Sequence, residues 1–475
     1  MFTELKRVLP EPVLQRLTAP DRVILRRIYE FLRRILKRRF RMIFFSPDRA
    51  LKAACRKPAS QNTIVVFKSA GQDVRLAKEI SIYENVISYP LTQTTSETDP
   101  GIHYFGGLAN PETQTLIREA IHCYGAAYSQ SLPTTSVEKY SPDNCLEIRQ
   151  PVLYGGILFN HFGHFILESL CRLYAYPMVR EIDPFVLFYS QWGPPRYLEK
   201  NNFANQIFTG LGIPVDRLIF VDQVAKISEI IIPAQKYGFG FTRQPDELFV
   251  KFVRSFRFQH KVPKGFEKAE KIYVSRSDLQ NKGRQIGEKV FEAYLAGEGY
   301  RIFYPEQHTF FEQLTVYACA RRLIFSEGSA LFSCMFLTDM KADVAVVCRR
   351  REPHHSTRGA TDCLYGFGKN ILWIDAVRGQ YQFGLDTWDA LADIDWCEVS
   401  RMLHEHGFVN NLSRILTDND QLALVRSELR KYLREISGNP KFVDHMMRLK
   451  ETHPLWIEPF DLVDHHEGSQ KRNQI

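Results

Sequence analysis

From Lys271 onward the chain alternates short β-branched and aromatic runs with segments that carry helical spacing. Strand-like runs fall at Lys271–Ser275, Tyr300–Tyr304, Arg322–Ser326, Val344–Cys348 and Ile371–Ile374. Helical segments at Gly287–Ala296, Phe310–Cys319 and Ser329–Leu337 separate the first four. A strand that returns parallel to its neighbour needs a crossover of a dozen or more residues, so this rhythm predicts βαβ units and a mostly parallel, doubly wound sheet. Thr309, followed three residues later by Glu312, reads as a capping box that starts the second helix.

The preceding half follows the same rhythm less regularly. Thr63–Lys68 is a short β-branched run, Thr92–Gly101 is loop-rich, and Thr113–Tyr128 carries a helical pattern. Glycine-rich Pro151–Phe159 leads into an expected helix at His161–Tyr176, and strands are expected at Phe185–Tyr189, Arg217–Val221 and Glu229–Ile232. Beyond Trp388 the pattern turns helical, at Glu398–His406, Gln421–Ile436 and Lys441–Lys450, and the polar tail His465–Ile475 is expected to be disordered. These shifts divide the chain into a basic segment 1–60, an α/β lobe 61–235, a second α/β lobe 236–400 and a helical extension with tail 401–475.

With 44% apolar and 24% charged residues in 475, the chain is ordinary for a folded globular protein, which excludes collagen-like, disordered and multi-pass membrane classes. The nine cysteines include no C-x-x-C pair, which argues against a disulfide framework or a thiolate zinc site and fits a reducing cytosol. The net charge is +8, yet residues 1–60 alone hold 16 Lys and Arg against 5 Asp and Glu. Within that segment Asp21–Phe45 reads as a helix with Ile24, Ile28, Phe31 and Ile35 on one stripe and arginines around it. No apolar run approaches the roughly 18 residues a bilayer span requires, and a secretory apolar core is missing. The expected place is the cytoplasm, peripheral to the inner membrane face, with residues 21–45 on an anionic leaflet. A helix packed on its own domain is the plainer alternative; no nucleic-acid motif accompanies the charge, so no nucleic-acid partner is expected.

The strongest local signal runs from Asn160 to Leu173. In a regular helix His161, His164 and Glu168 share a face, with Arg172 one turn further. A histidine beside a carboxylate can make an acid/base pair; the same spacing can supply three metal ligands, or simply helix-end hydrogen bonds with a Glu168–Arg172 ion pair. A second constellation joins Ser275-Arg276, at the end of a strand, with Arg284 and with the strand-to-helix turn Ser326-Glu327-Gly328-Ser329. Parallel sheets bind ligands at the ends of their strands: Gly328 allows close backbone approach, and the helix opening at Ser329 favours phosphate. Arg276 and Arg284 are fork-shaped donors suited to a diphosphate, and Glu327 can grip ribose hydroxyls. A third group, Arg349 to Arg358 with His354 and His355, reads chiefly as a solvated charge run.

These residues resemble glycosyltransferase family 61, which includes bacterial capsule-type transferases. The resemblance rests on the N-H-x-x-H-like segment Asn160–Glu168, on Ser275-Arg276 followed by Arg284, on Pro305-Glu306 with Phe310, Phe311, Glu312 and Gln313, and on Gly328–Leu331. Many members have His before that glycine, where this chain has Glu327, and the similarity covers about residues 145–340. It implies a GT-B-like α/β fold of two facing Rossmann-like lobes, the basic N-terminal helix and the helical C-terminal extension lying outside it. It implies an inverting transfer from a nucleotide-sugar donor to a glycan or lipid-linked glycan acceptor, with no obligatory metal cofactor. The catalytic candidates are then Glu168, as first choice of base, with His164 and His161. Arg276, Arg284, Gln313, Glu327, Gly328 and Ser329 are the donor-binding candidates.

Overall fold

The computed structural model describes residues 63–64, 80–95, 102–124, 130–133, 137, 145–190, 202–238, 245–279, 283–338, 340–350, 371–381, 390–412 and 415–436. The helix expected over 21–45, the segment Lys441–Lys450, the tail from His465 and the pair His354 and His355 lie outside the described residues. The chain divides into two compact units, 1–257 and 258–475.

The first unit is built on an eight-stranded mixed sheet. Its strands are β1 (Thr63–Ile64), β2 (Ile80–Thr95), β3 (Ile102–Ala109), β6 (Leu146–Ile148), β7 (Val152–Leu158), β8 (Phe185–Ser190), β9 (Leu218–Phe220) and β10 (Ala225–Pro233), while β4 (His122–Tyr124) and β5 (Gln130–Leu132) form a separate hairpin. The order is β1-β2-β10-β7-β8-β9, with β3 on β2 and β6 on β10. Strands β10, β7, β8 and β9 run parallel, whereas β2 is antiparallel to β10 and β3. All seven residues of β7 are buried, as expected of a strand covered on both faces, and each large apolar side chain so enclosed contributes about 1.5–3 kcal/mol.

Two expectations in this unit are corrected. Over its described residues, 113–124, the stretch Thr113–Tyr128 is not a helix. Gln114 sits at φ 53°, a left-handed conformation that stops a helix, and the stretch holds one short 3₁₀ turn, Arg118–Ala120, before β4. His161–Tyr176 is not one regular helix either: Phe162–His164 is a single helical turn, Phe165–Ser169 is π-helical, and 3₁₀ and α turns follow at Leu173–Ala175 and Tyr176–Val179. The wider π turn changes which side chains share a face, so the i, i+3, i+7 stripe does not hold through this segment. The helices α1 (Phe203–Gly210) and α2 (Glu247–Arg254) start on Asn202 and Asp246, whose side chains accept the N–H of Ala204 and Leu248.

The second unit follows the expected rhythm closely. A five-stranded parallel sheet has the order β13-β11-β14-β15-β16, from β11 (Lys271–Val274), β13 (Arg301–Phe303), β14 (Arg322–Ser326), β15 (Asp343–Val347) and β16 (Ile371–Ile374). A three-stranded sheet joins β12 (Gln285–Ile286), β18 (Leu391–Ile394) and β17 (Val377–Tyr381). The helices are α3 (Glu288–Gly297), α4 (Phe310–Cys319), α5 (Trp396–Glu405) and α6 (Asp418–Ile436). The capping box is present at α4: Thr309 N donates to Glu312 Oε2 at 2.8 Å, and the Glu312 N–H reaches back to Thr309 Oγ1. Ser329–Phe336, expected as an α-helix, is a 3₁₀ helix. The core is centred on Tyr273, Phe291 and Trp396; the Phe291 and Trp396 rings stack at 4.5 Å, and the Trp396 indole donates to the Ile286 carbonyl at 2.8 Å.

Candidate active site

In the first unit the glycine-rich strand sets the cluster up. A bulge between Tyr154 and Gly156 interrupts the β7–β8 register, with Gly156 at φ +96°, a conformation that glycine adopts without strain. The position a Cβ would take lies 3.4 Å from Arg172 Cδ, ordinary van der Waals contact, so it is the backbone angle that calls for glycine here. Arg172 is 1% exposed; its guanidinium donates to the carbonyls of Pro233 and, at 3.0 Å, Ile121, and lies over the Tyr154 ring. The Glu168–Arg172 ion pair, one of the alternatives left open by the sequence, is not formed. The Arg172 charge is spent tying β10 to the segment before β4.

Glu168 is completely buried, and its Oε2 lies 3.0 Å from Nε2 of His122, itself completely buried. Burial first, then the charges of Arg172 and His164, push His122 down to about 3, so its ring is neutral at pH 7 and can donate its Nε2–H to the carboxylate. The hairpin carrying His122 is clamped by Gln235, which accepts the Cys123 N–H at 2.9 Å and donates to the Cys123 carbonyl at 2.7 Å. Ser169 Oγ accepts the Phe159 N–H at 3.0 Å, fixing the turn out of β7.

His164 and His161 lie on the way out from this pair. The His122 and Phe159 rings are 5.6 Å apart, Phe159 and His164 5.6 Å, and His164 and His161 5.3 Å. His164 is half-buried and pushed down to about 4, by burial and then by His161, whereas His161 is exposed. The structure thus keeps Glu168, His164 and His161 in one neighbourhood but grades them from closed to open. Among the described residues no three His, Cys, Asp or Glu side chains are arranged to hold a metal ion, so the alternative of His161, His164 and Glu168 as a ligand set is not realised. His122 escaped the sequence reading because Ile121-His122-Cys123-Tyr124 carries no spacing signal; only the fold brings it to Glu168.

In the second unit the end of β11 is anchored to α3. Glu288 Oε1 accepts from the Tyr273 hydroxyl (2.8 Å) and the Arg276 N–H (2.9 Å), and Ser275 Oγ donates to Glu292 Oε1 at 2.6 Å. The Arg276 guanidinium lies against Gly328 and donates to the Gly283 carbonyl at 3.2 Å. Gly328 has φ −179°, extended backbone open to any residue, so its lack of a side chain serves another purpose. A Cβ there would fall 2.2 Å from Arg276 Nη1, and the glycine is the seat of that arginine. Half-buried Ser329 opens the 3₁₀ helix beside it, where the first N–H groups of a helix await acceptors. Arg284 is 6% exposed and donates to the Leu279 carbonyl at 3.3 Å.

Two donor-side candidates are placed differently from expectation. Glu327 is fully buried and engaged by the residues after β15: its Oε2 accepts the Arg349 N–H at 2.6 Å and its Oε1 pairs with Arg350 Nη2 at 2.9 Å. A carboxylate committed in this way is not open to a ribose. Gln313 spends its side-chain N–H groups on the carbonyls of Pro305 (2.9 Å) and His308 (3.1 Å), joining α4 to the turn before it. The solvated reading of the arginine run also fails where it is described: Arg349 and Arg350 are 3% and 7% exposed, held by Glu327 at the end of the parallel sheet.

Residues 162–347 match the family model Glycosyltransferase 61. The resemblance carried by the motifs is borne out over this stretch, which holds His164, Glu168, Arg276 and the Gly328 turn, and glycosyl transfer is the activity the family implies. The glycosyltransferase 61 segment leaves out His122, Arg349, Arg350 and all of α6. No curated protein matches the chain. Among the described residues no helix is long and apolar enough to cross a membrane.

Proposed function

We propose that the chain is an inverting glycosyltransferase without an obligatory metal, moving a hexosyl or pentosyl group from a nucleotide-sugar to a glycan or lipid-linked glycan in surface or capsular polysaccharide synthesis. The observation that carries this reading is the match over 162–347, whose span includes both the His164-Glu168 cluster and the seat of Arg276. In a single displacement the acceptor oxygen bonds to the anomeric carbon as the bond to the diphosphate breaks. The hydroxyl proton passes to a base, and the negative charge leaves on the diphosphate.

His164 is the better placed base: it is half-buried where Glu168 is fully enclosed, and it is neutral at pH 7. Glu168 is enclosed with His122, whose Nε2 lies 3.0 Å from its Oε2, and acts as a positioning residue behind the open end of the cluster. Arg276 and the helix start at Ser329 receive the leaving charge. Residues 21–45 hold the enzyme at the anionic inner face of the membrane, on the cytoplasmic side, near a lipid-linked acceptor.

The test is thermal unfolding of the full chain with UDP, GDP, CMP and dTDP, each with and without EDTA. A nucleotide at about 100 times its dissociation constant adds roughly 2.7 kcal/mol to the native state. A raised midpoint with one nucleotide, unchanged by EDTA, is the expected result. No rise with any of them overturns the reading, and a rise abolished by EDTA overturns metal independence.

A further inference from the structure

Strand β10 pairs with β2 in a register that sets Glu229 directly opposite Glu84. Side chains opposite one another in an antiparallel pair stand with their Cβ atoms about 4.5–5.5 Å apart, and like charges in that position repel. Both glutamates are half-buried, and Oε2 of Glu84 is closed to solvent with no hydrogen-bond partner. Beside them the ladder is already interrupted. Asn85 stands at φ 54°, a left-handed conformation inside a strand, and the pairing passes over Asn85 and Ser228 before it resumes at Val86 and Ile227.

Among the described residues no cation balances the pair. Lys226 on β10 acts on Glu147 of β6, and Glu119, in the turn before β4, takes the hydroxyl of Tyr83. The hydroxyls of Tyr154 on β7 and Tyr189 on β8 are engaged by the Ala120 carbonyl and by Ser88. None of these acts on either glutamate: burial and then the charge of Glu229 raise Glu84 above the ordinary carboxylate range, and burial raises Glu229. Two carboxylates so placed are at their most stable with a proton between them. From Glu229 the strand runs on to Pro233, whose carbonyl accepts from Arg172, and the chain continues to Gln235, which clamps the hairpin carrying His122. The grip of β2 on β10 therefore bears on the strand that seats the His122–Glu168 pair.

We infer that Glu84 and Glu229 form a proton-sharing pair that holds β2 firmly on β10 while protonated and loosens it when both carboxylates ionise. The inference is independent of the transfer reading. A carboxylate held above its unfolded value keeps a proton that the unfolded chain releases. The pair thus costs little at low pH and takes stability away as pH rises from the ordinary value of 4.5 through its own raised range. This direction is opposite to that of the buried histidines, so variants are needed to separate the two.

Urea unfolding and hydrogen exchange of the full chain test it, at pH 5, 6.5 and 8, in the wild type, Glu84→Gln, Glu229→Gln and the double variant. Glutamine keeps the shape of the protonated acid and does not titrate. Each single variant should raise the urea midpoint at pH 8 and slow exchange of the β2 and β10 amides roughly 2- to 5-fold, the range of a cross-strand charge pair. The gain should shrink toward pH 5, and the second substitution should add little to the first. A gain that does not grow with pH, or no gain, overturns the inference. So does a wild-type midpoint raised at pH 8 by calcium or magnesium chloride, beyond sodium chloride of equal ionic strength, and not raised in Glu229→Gln: a cation and not a proton would then join the carboxylates.

Discussion

His122 Nε2 and Glu168 Oε2 meet at 3.0 Å with both side chains closed to solvent, across 46 residues of sequence. Removing one member of such a pair leaves the other buried without its partner, which typically costs 3–5 kcal/mol, about the loss expected for His122→Ala. Urea unfolding at pH 7 measures it. A loss below about 1 kcal/mol would mean that water or another donor replaces the histidine.

Acid should unfold the protein partly through the same ring. His122 and His164 are held near about 3 and about 4 against an ordinary value of 6.5, so between those values and 6.5 the unfolded chain binds protons that the native state refuses. Stability therefore rises with pH across this window and is lost as pH falls from 6.5 toward 4. Unfolding midpoints between pH 7.5 and 4 test this, and His122→Ala should flatten the slope.

Gly328→Ala should displace Arg276 without unfolding the turn, because φ −179° suits alanine while the added Cβ would fall 2.2 Å from Nη1. The expected loss is about 1.5–3 kcal/mol of binding for the matching nucleoside diphosphate, with the unligated melting midpoint little changed. Arg276→Ala in the Gly328→Ala background should then add little, since the two changes remove one contact. Additive losses in that double-variant cycle would detach the glycine from the arginine.

Arg350→Ala takes the guanidinium away from Glu327, which is fully buried and also accepts the Arg349 N–H. A destabilisation of about 3–5 kcal/mol is expected, and the double change with Glu327→Gln should recover part of it. Denaturant titration of the three variants decides the matter.

Deleting residues 1–60, which carry a net +11, should abolish binding to vesicles rich in anionic lipid, at about 1 kcal/mol per basic residue near the surface. Sedimentation of the full and shortened chains with anionic and neutral vesicles measures it. Equal binding by the shortened chain would place the membrane contact elsewhere or nowhere.

Much of the second unit was legible because its elements are local and regular. The capping box at Thr309 and Glu312, the strand Arg322–Ser326 and the helix Phe310–Cys319 each carry their signal within a dozen residues, and all three stand where the pattern puts them. The first unit was less so. Long β2 pairs with β10, far away in sequence, the Thr113–Tyr128 pattern lost to a left-handed Gln114, and the His161–Tyr176 helix widened into a π turn.

The sequence by itself determined the α/β class, the parallel rhythm, the concentration of basic charge in the first 60 residues and the short segments that the family model matches, since each is written in neighbouring residues. Only the tertiary structure decided which charged groups are available for chemistry. Glu168 and Glu327 look like open carboxylates in the sequence, yet one closes on His122 and the other on Arg349 and Arg350, while Glu306 stays exposed. Burial and long-range pairing make that difference: they depend on contacts tens of residues apart, to which no local spacing is sensitive.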